Sequence, residues 1–224
     1  MKILSVDASA KTASAALSDG DSIIKSEFKN TGLTHSETLL PMIQRVMDGT
    51  DFAALDAIAI TAGPGSFTGV RIGVATVKGL AFEHNTPCIP VSTLEAIAYN
   101  FIDKNCVVCA VMDARRMQFY NALFAIKDGV CTRLTPDRAI ALEDLREEMK
   151  AFDEVMIAGD GAALCYENIG LENTVLPEGD AVYQNAASVA KAALHHEPVT
   201  PAALMPTYLR QSQAERELKL KLNN

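Results

Sequence analysis

Ile3-Leu4-Ser5-Val6-Asp7-Ala8-Ser9 and Val107-Val108-Cys109-Ala110-Val111-Met112-Asp113-Ala114-Arg115 share one pattern, with their aspartates 106 residues apart. Each is an apolar run of buried-strand length that ends on polar residues. The stretches downstream of the two runs are also alike. After the first come a small-residue strand over Thr12–Leu17, an Asp19-Gly20 hairpin turn and a third strand over Ile23–Phe28. After the second come a strand over Phe119–Ile126 and an Asp128-Gly129 turn. Further on, Ala57-Ile58-Ala59-Ile60-Thr61 runs into a glycine turn, as does Val155-Met156-Ile157-Ala158. A helix is expected before each of these strands: one near Leu39–Met47, the other over Ala141–Lys150. The same order of strand, aspartate, hairpin, helix, strand and glycine turn points to an internally duplicated α/β fold. Two unrelated α/β halves are the alternative.

The chain has 224 residues, 49% hydrophobic and 21% charged, which is globular composition. At this size roughly 70% of the unfolded surface is buried on folding. The expected division is a first lobe over residues 1–100 and a second over 101–224. A net charge of −8 excludes a broadly basic nucleic-acid binder, since phosphate neutralisation needs a Lys/Arg surface. Asp7 interrupts the first apolar run before signal-peptide length, and no run approaches a membrane span. Five dispersed cysteines fit reduced thiols better than a disulfide framework. A cytoplasmic protein without a membrane role is therefore expected.

Gly63-Pro64-Gly65-Ser66-Phe67-Thr68-Gly69 lies between a strand and a helix, where backbone N–H groups can meet an anion. Ser66 and Thr68 add hydroxyls and Arg71 a cation. The run lacks the Gly-Lys-Ser/Thr ending of a Walker loop and the spacing of a dinucleotide fingerprint. Asp7, Ser9, Asp113 and the Gly159-Asp160-Gly161 turn could join it around a nucleotide, with strand-end carboxylates holding Mg²⁺ through water. The alternative is structural: glycines that bring helix and sheet close, and aspartates that cap turns. Both readings stand on local chemistry.

Thr34 and Glu37 have capping-box spacing, and Pro41 implies a kink or a later start for the first helix. The helix after the glycine turn is apolar almost all round, so a second buried side is expected. The residues expected at a partner interface are Leu39, Ile43, Val70, Gly73, Val74 and Val77. Cys106 and Cys109 fall on opposite faces of a strand and read as core thiols. His84 and the His195-His196 pair read as solvated helix ends, and His35 as a cap or an interface residue.

Ala62-Gly63-Pro64-Gly65-Ser66-Phe67-Thr68-Gly69-Val70-Arg71-Ile72-Gly73 resembles the bacterial TsaB (YeaZ) family. His35-Ser36-Glu37, Ile89-Pro90-Val91-Ser92-Thr93-Leu94-Glu95, Asp113-Ala114-Arg115-Arg116, Gly159-Asp160-Gly161-Ala162 and Tyr208-Leu209-Arg210 extend the likeness along the chain. The resemblance implies an actin-like ATPase (ASKHA) fold, with two duplicated lobes of mixed sheets flanked by helices. It implies an accessory subunit in threonylcarbamoyladenosine synthesis on tRNA. The implied partners are a TsaD-type transferase and a TsaE-type ATPase, with a homodimer as a further state and tRNA met through the complex. In the transferase a His-x-x-x-His motif holds the metal; here those positions are Thr93 and Ile97, and isoleucine cannot ligate. A non-catalytic chain that requires no cofactor, with at most weak ATP or ADP binding, is therefore expected. An autonomous ATPase or phosphotransferase is the rival, and a metallo-glycoprotease a more distant one, without a His-Glu-x-x-His sequence. The stretch Gln211–Asn224 reads as a frayed helix or a partner-binding tail.

Overall fold

The computed structural model describes residues 1–30, 32 and 35–210. The first sheet comprises β1 (Lys2–Asp7), β2 (Ala13–Asp19), β3 (Ser22–Lys29), β4 (Ala57–Gly63) and β5 (Cys88–Ser92), in the order β3-β2-β1-β4-β5. The second comprises β6 (Cys106–Asp113), β7 (Gln118–Lys127), β8 (Val130–Arg133), β10 (Val155–Ala158) and β11 (Thr174–Val175). Its order is β8-β7-β6-β10-β11, with β9 (Arg138–Ala141) also paired to β7. Position for position the two orders are the same. The senses agree too, since β1 and β6 each pair antiparallel with the next strand and parallel with β4 or β10. Asp128 and Gly129 both have positive φ (52° and 76°), as a type I′ hairpin requires.

Strand alternation divides the first sheet between two cores. Leu4, Val6, Ile58 and Ile60 face α1 (His35–Met47) and α2 (Phe67–Phe82). Ile3, Ala57, Ala59 and Ile89 face the other way, onto Val189, Ala192 and Ala193 of α6 (Ala186–Ala193). In the second lobe α4 (Leu142–Met149) and α5 (Ala162–Ile169) supply Leu145, Met149, Cys165 and Ile169 to a core around Val108, Val111 and Ile157. The short α3 (Thr93–Ala98) belongs to both lobes: Leu94 and Ile97 pack in that core, while Ala96 packs beside α6.

Residue 100 therefore does not divide the chain cleanly. The sheets separate between Ser92 and Cys106, but α6 returns to the first sheet, and Val199 bridges to Cys88. Serine hydroxyls tie that return in place: Ser14 accepts from the Ala186 N–H at 2.8 Å, and Ser5 donates to the Ala186 carbonyl at 2.7 Å. Helix α1 begins at His35, ahead of Pro41, so a start after the proline does not hold. Thr34 of the expected capping box lies outside the described residues, as does Gln211–Asn224. Among the described residues no helix is long and apolar enough to cross a membrane.

Candidate functional site

Asp7 ends β1 at the centre of the molecule and is fully buried. Its Oδ1 accepts from Ser9 Oγ and Thr61 Oγ1, each at 2.6 Å, while Oδ2 has no partner. Burial raises its pKa, and the hydrogen bonds from Ser9 and Thr61 only partly oppose that. Across the lobe junction, Asp160 follows β10 and accepts a long hydrogen bond (3.5 Å) from Gln184 Nε2. Burial, with repulsion from Asp113 and Asp7, pushes Asp160 up to about 6. Asp113 ends β6 on the exposed rim, where its Oδ1 accepts from the Arg115 N–H at 2.6 Å in a local turn. The three expected aspartates are thus close enough to interact across the junction: Asp7 is sealed from solvent, Asp160 is partly buried and Asp113 is exposed.

The glycine turns pack closely against the strand ends here. A Cβ on Gly65 would come within 2.4 Å of the Ser9 carbonyl oxygen, and one on Gly69 within 2.1 Å of that of Ala8. A Cβ on Gly159 would meet the Val111 oxygen at 2.0 Å, and one on Gly161 the Asp113 nitrogen at 2.8 Å. Each glycine lets its turn sit directly on the end of the neighbouring strand. Several N–H groups of the turns are committed as well. Ser66 N donates to the Ser9 carbonyl (2.7 Å), Gly159 N to that of Val182 (2.6 Å) and Gly161 N to that of Val111 (3.3 Å). Ser66 is the N-cap of α2, its hydroxyl accepting from Gly69 N at 3.3 Å. Both hydroxyl-bearing residues of the turn, Ser66 and Thr68, are exposed. The chain's own backbone thus packs tightly into both turns, and Asp7 is shut off from solvent.

His35, the first residue of α1, places Nε2 2.6 Å from the Ala10 carbonyl, and its Nδ1 has no partner. It joins α1 to the β1–β2 turn. His196 differs from the expected solvated end: its Nε2 is 3.0 Å from Glu95 Oε1, and Arg133 binds the other oxygen of that carboxylate at 3.0 Å. Cys88, Cys109 and Cys165 are buried, while Cys106 and Cys131 are only half-buried, and all five thiols are free. Burial raises every one of them, with Cys131 and Cys165 at about 12, so none is a ready nucleophile.

The six residues expected at a partner interface lie inside. Leu39, Ile43, Val70, Val74 and Val77 belong to the first-lobe core, and Gly73 is seated against the Ile60 side chain. The sheet covers this aliphatic face, so the solvent-facing side is the opposite one. On the outer side of the same helices stand Leu40 (44% exposed), Arg71, Ala75, Gly79 and Phe82 (82% exposed). Positions 71, 75, 79 and 82 have helical spacing, and space is open around Gly79. Small residues flanked by an exposed phenylalanine are the sequence signal for this side; the aliphatic density of the inner face obscures it.

Two copies of one strand order, meeting at a pair of strand-end aspartates, define the actin-like ATPase fold. A family model described as "TsaD: tRNA N6-adenosine threonylcarbamoyltransferase" matches residues 29–218. The chain is 32% identical to the tRNA threonylcarbamoyladenosine biosynthesis protein TsaB of Bacillus subtilis, covering 96% of each chain. It is 30% identical to TsaB of Escherichia coli, over 97% of this chain and 98% of that one. Among solved structures, YeaZ from Pseudomonas aeruginosa superposes with a TM-score of 0.81 at 27% identity, covering 93% of this chain and 99% of that one. The chain belongs to the TsaB (YeaZ) family.

Proposed function

We propose that this chain is an accessory, non-transferring subunit in the synthesis of threonylcarbamoyladenosine on tRNA. Its likeness to TsaB proteins over nearly its whole length carries the reading. The interior of the chain supports it. Thr93 and Ile97, where a TsaD-type transferase would place its histidines, are both fully buried, and Ile97 packs in the second-lobe core. The partner is a TsaD-type transferase, docked on the outer side of α1 and α2. The same side accounts for a homodimer when the transferase is absent, because related folds present related surfaces. A TsaE-type ATPase joins the assembly, and tRNA is met through it.

The packed glycine turns weigh against the rival ATPase or phosphotransferase, and the subunit acts without a nucleotide in its own cleft. The test is a transfer assay on tRNA with the transferase and ATPase subunits present, with and without this chain. Omitting the chain should abolish product, and the chain alone should show no ATP turnover at an enzymatic rate. Turnover by the isolated chain that is lost in Asp7→Ala would contradict the reading.

A further inference from the structure

Residues 201–210 leave α6 and run across the mouth of the lobe junction, touching both lobes in turn. On the first lobe, Lys78 of α2 donates to the carbonyls of Ala202 (3.2 Å) and Leu204 (3.1 Å), and the Leu204 side chain is fully buried in the core. Thr207 N donates to the Ala62 carbonyl at 2.7 Å. The Thr207 carbonyl lies over Gly63 (φ +121°), where a Cβ would approach it to 2.3 Å. Tyr208 then stacks on Phe67, ring centroids 4.6 Å apart, and Arg71 closes the group. The Arg71 guanidinium carbon sits 3.7 Å over the Phe67 ring, and its Nε donates to the Tyr208 hydroxyl at 2.8 Å. Two residues later the segment reaches the second lobe, where Arg210 donates to the Ala114 carbonyl at 3.1 Å and lies 6.0 Å from the Tyr120 ring centre.

We propose that residues 204–210 form a strap that clamps the two lobes together at the junction mouth, with Arg71 and Tyr208 as its clasp. The strap ties the Gly63 turn of one lobe to the β6–β7 turn of the other, which follows Asp113. Arg71 also lies on the outer side of α2, so a partner seated there meets Arg71 and, through it, alters how tightly the β6–β7 turn is held. This second half rests on the docking of a transferase on that side; the clamp itself does not. Tyr208 and Arg210 are positioning residues, acting through the strap. An isolated surface aromatic pair would show only local effects, because its loss frees no backbone on the far lobe.

The test is amide hydrogen exchange by NMR on the full chain. In Tyr208→Ala, exchange should rise at least tenfold at Thr207 N and also at Ala114 N, which donates to the Gln118 carbonyl within the β6–β7 turn. Arg210→Ala should give the same pair of changes, and Tyr208→Phe, which keeps the ring and loses only the hydroxyl, a smaller version. Protection in β1 and β6 reports whether the cores are intact. If Tyr208→Ala loses it, the comparison of Tyr208→Phe with wild type decides. A rise confined to Thr207 and its neighbours overturns the clamp. Adding the transferase to wild type should change Ala114 protection, and adding it to Tyr208→Ala should not, although binding persists. Binding with no change at Ala114 overturns the partner half. Failure to bind at all overturns the docking of the transferase and, with it, the partner half, but leaves the clamp in the free chain standing.

Discussion

A carboxylate enclosed between two packed lobes reports directly on its surroundings. Asp160, raised to about 6 chiefly by burial, holds a proton that an unfolded aspartate would release near 3.8. Its contribution to stability is therefore fully present below that ordinary value and is lost as pH rises through about 6. Asp160→Asn removes the charge penalty and supplies a donor close to the orphaned Gln184 Oε1. The variant should be about 2 kcal/mol more stable than wild type in urea unfolding at pH 7.5, and close to equal at pH 4. His196 also loses its contribution as pH rises, but through a favourable pair rather than a burial penalty. The hydrogen bond to Glu95 raises it above its ordinary 6.5. In Glu95, burial is outweighed by His196 and Arg133, and the carboxyl lies below its ordinary 4.5. The pair is strongest between those two ordinary values and weakens as pH rises through the raised histidine value. His196→Gln should remove about 0.5 kcal/mol of stability at pH 6, and less at pH 8.5, because the pair is partly solvated. Neither effect was legible in the sequence: Asp160 read as part of a candidate nucleotide-binding turn, with no local sign of its burial, and Glu95 and His196 are 101 residues apart.

At the scale of elements, α2 holds the sharpest contrasts. Gly69→Ala drives a Cβ onto the Ala8 carbonyl and should cost at least about 2 kcal/mol, whereas Gly79→Ala meets open space and should stabilise by about 0.5–1 kcal/mol. Thermal unfolding of the two variants checks both signs. Strand and hairpin positions were readable because apolar runs and Asp-Gly turns are local signals: β10 matches its expected Val155–Ala158 span, and both hairpins form. The side of α2 that faces the sheet was not readable. Val70, Val74 and Val77 alternate with Ile72, Ala75 and Leu80, and periodicity alone does not say which set the sheet covers. The glycine turns are ambiguous as a binding signal for a related reason. Strand, glycine turn and helix is the pattern of a phosphate nest and equally of close backbone packing. The neighbouring strand end that distinguishes the two is remote in sequence.

For the whole molecule, the duplicated order of elements was legible because it needed only sequence spacing, and both sheets reproduce it. The return of α6 to the first sheet and the strap beyond it were not, because they have no counterpart in the first half. Those additions join the lobes through backbone and side-chain contacts, consistent with a subunit whose role is to present a surface. That surface is the central claim, and the affinity of the chain for a TsaD-type transferase tests it most directly. Wild type and Ala75→Glu are compared by titration calorimetry, after unfolding curves show that the variant is within about 0.5 kcal/mol of wild-type stability. A carboxylate buried in the interface should weaken binding by at least a hundredfold, about 3 kcal/mol. An unchanged affinity for the folded variant would mean that the outer side of α2 is not the docking surface.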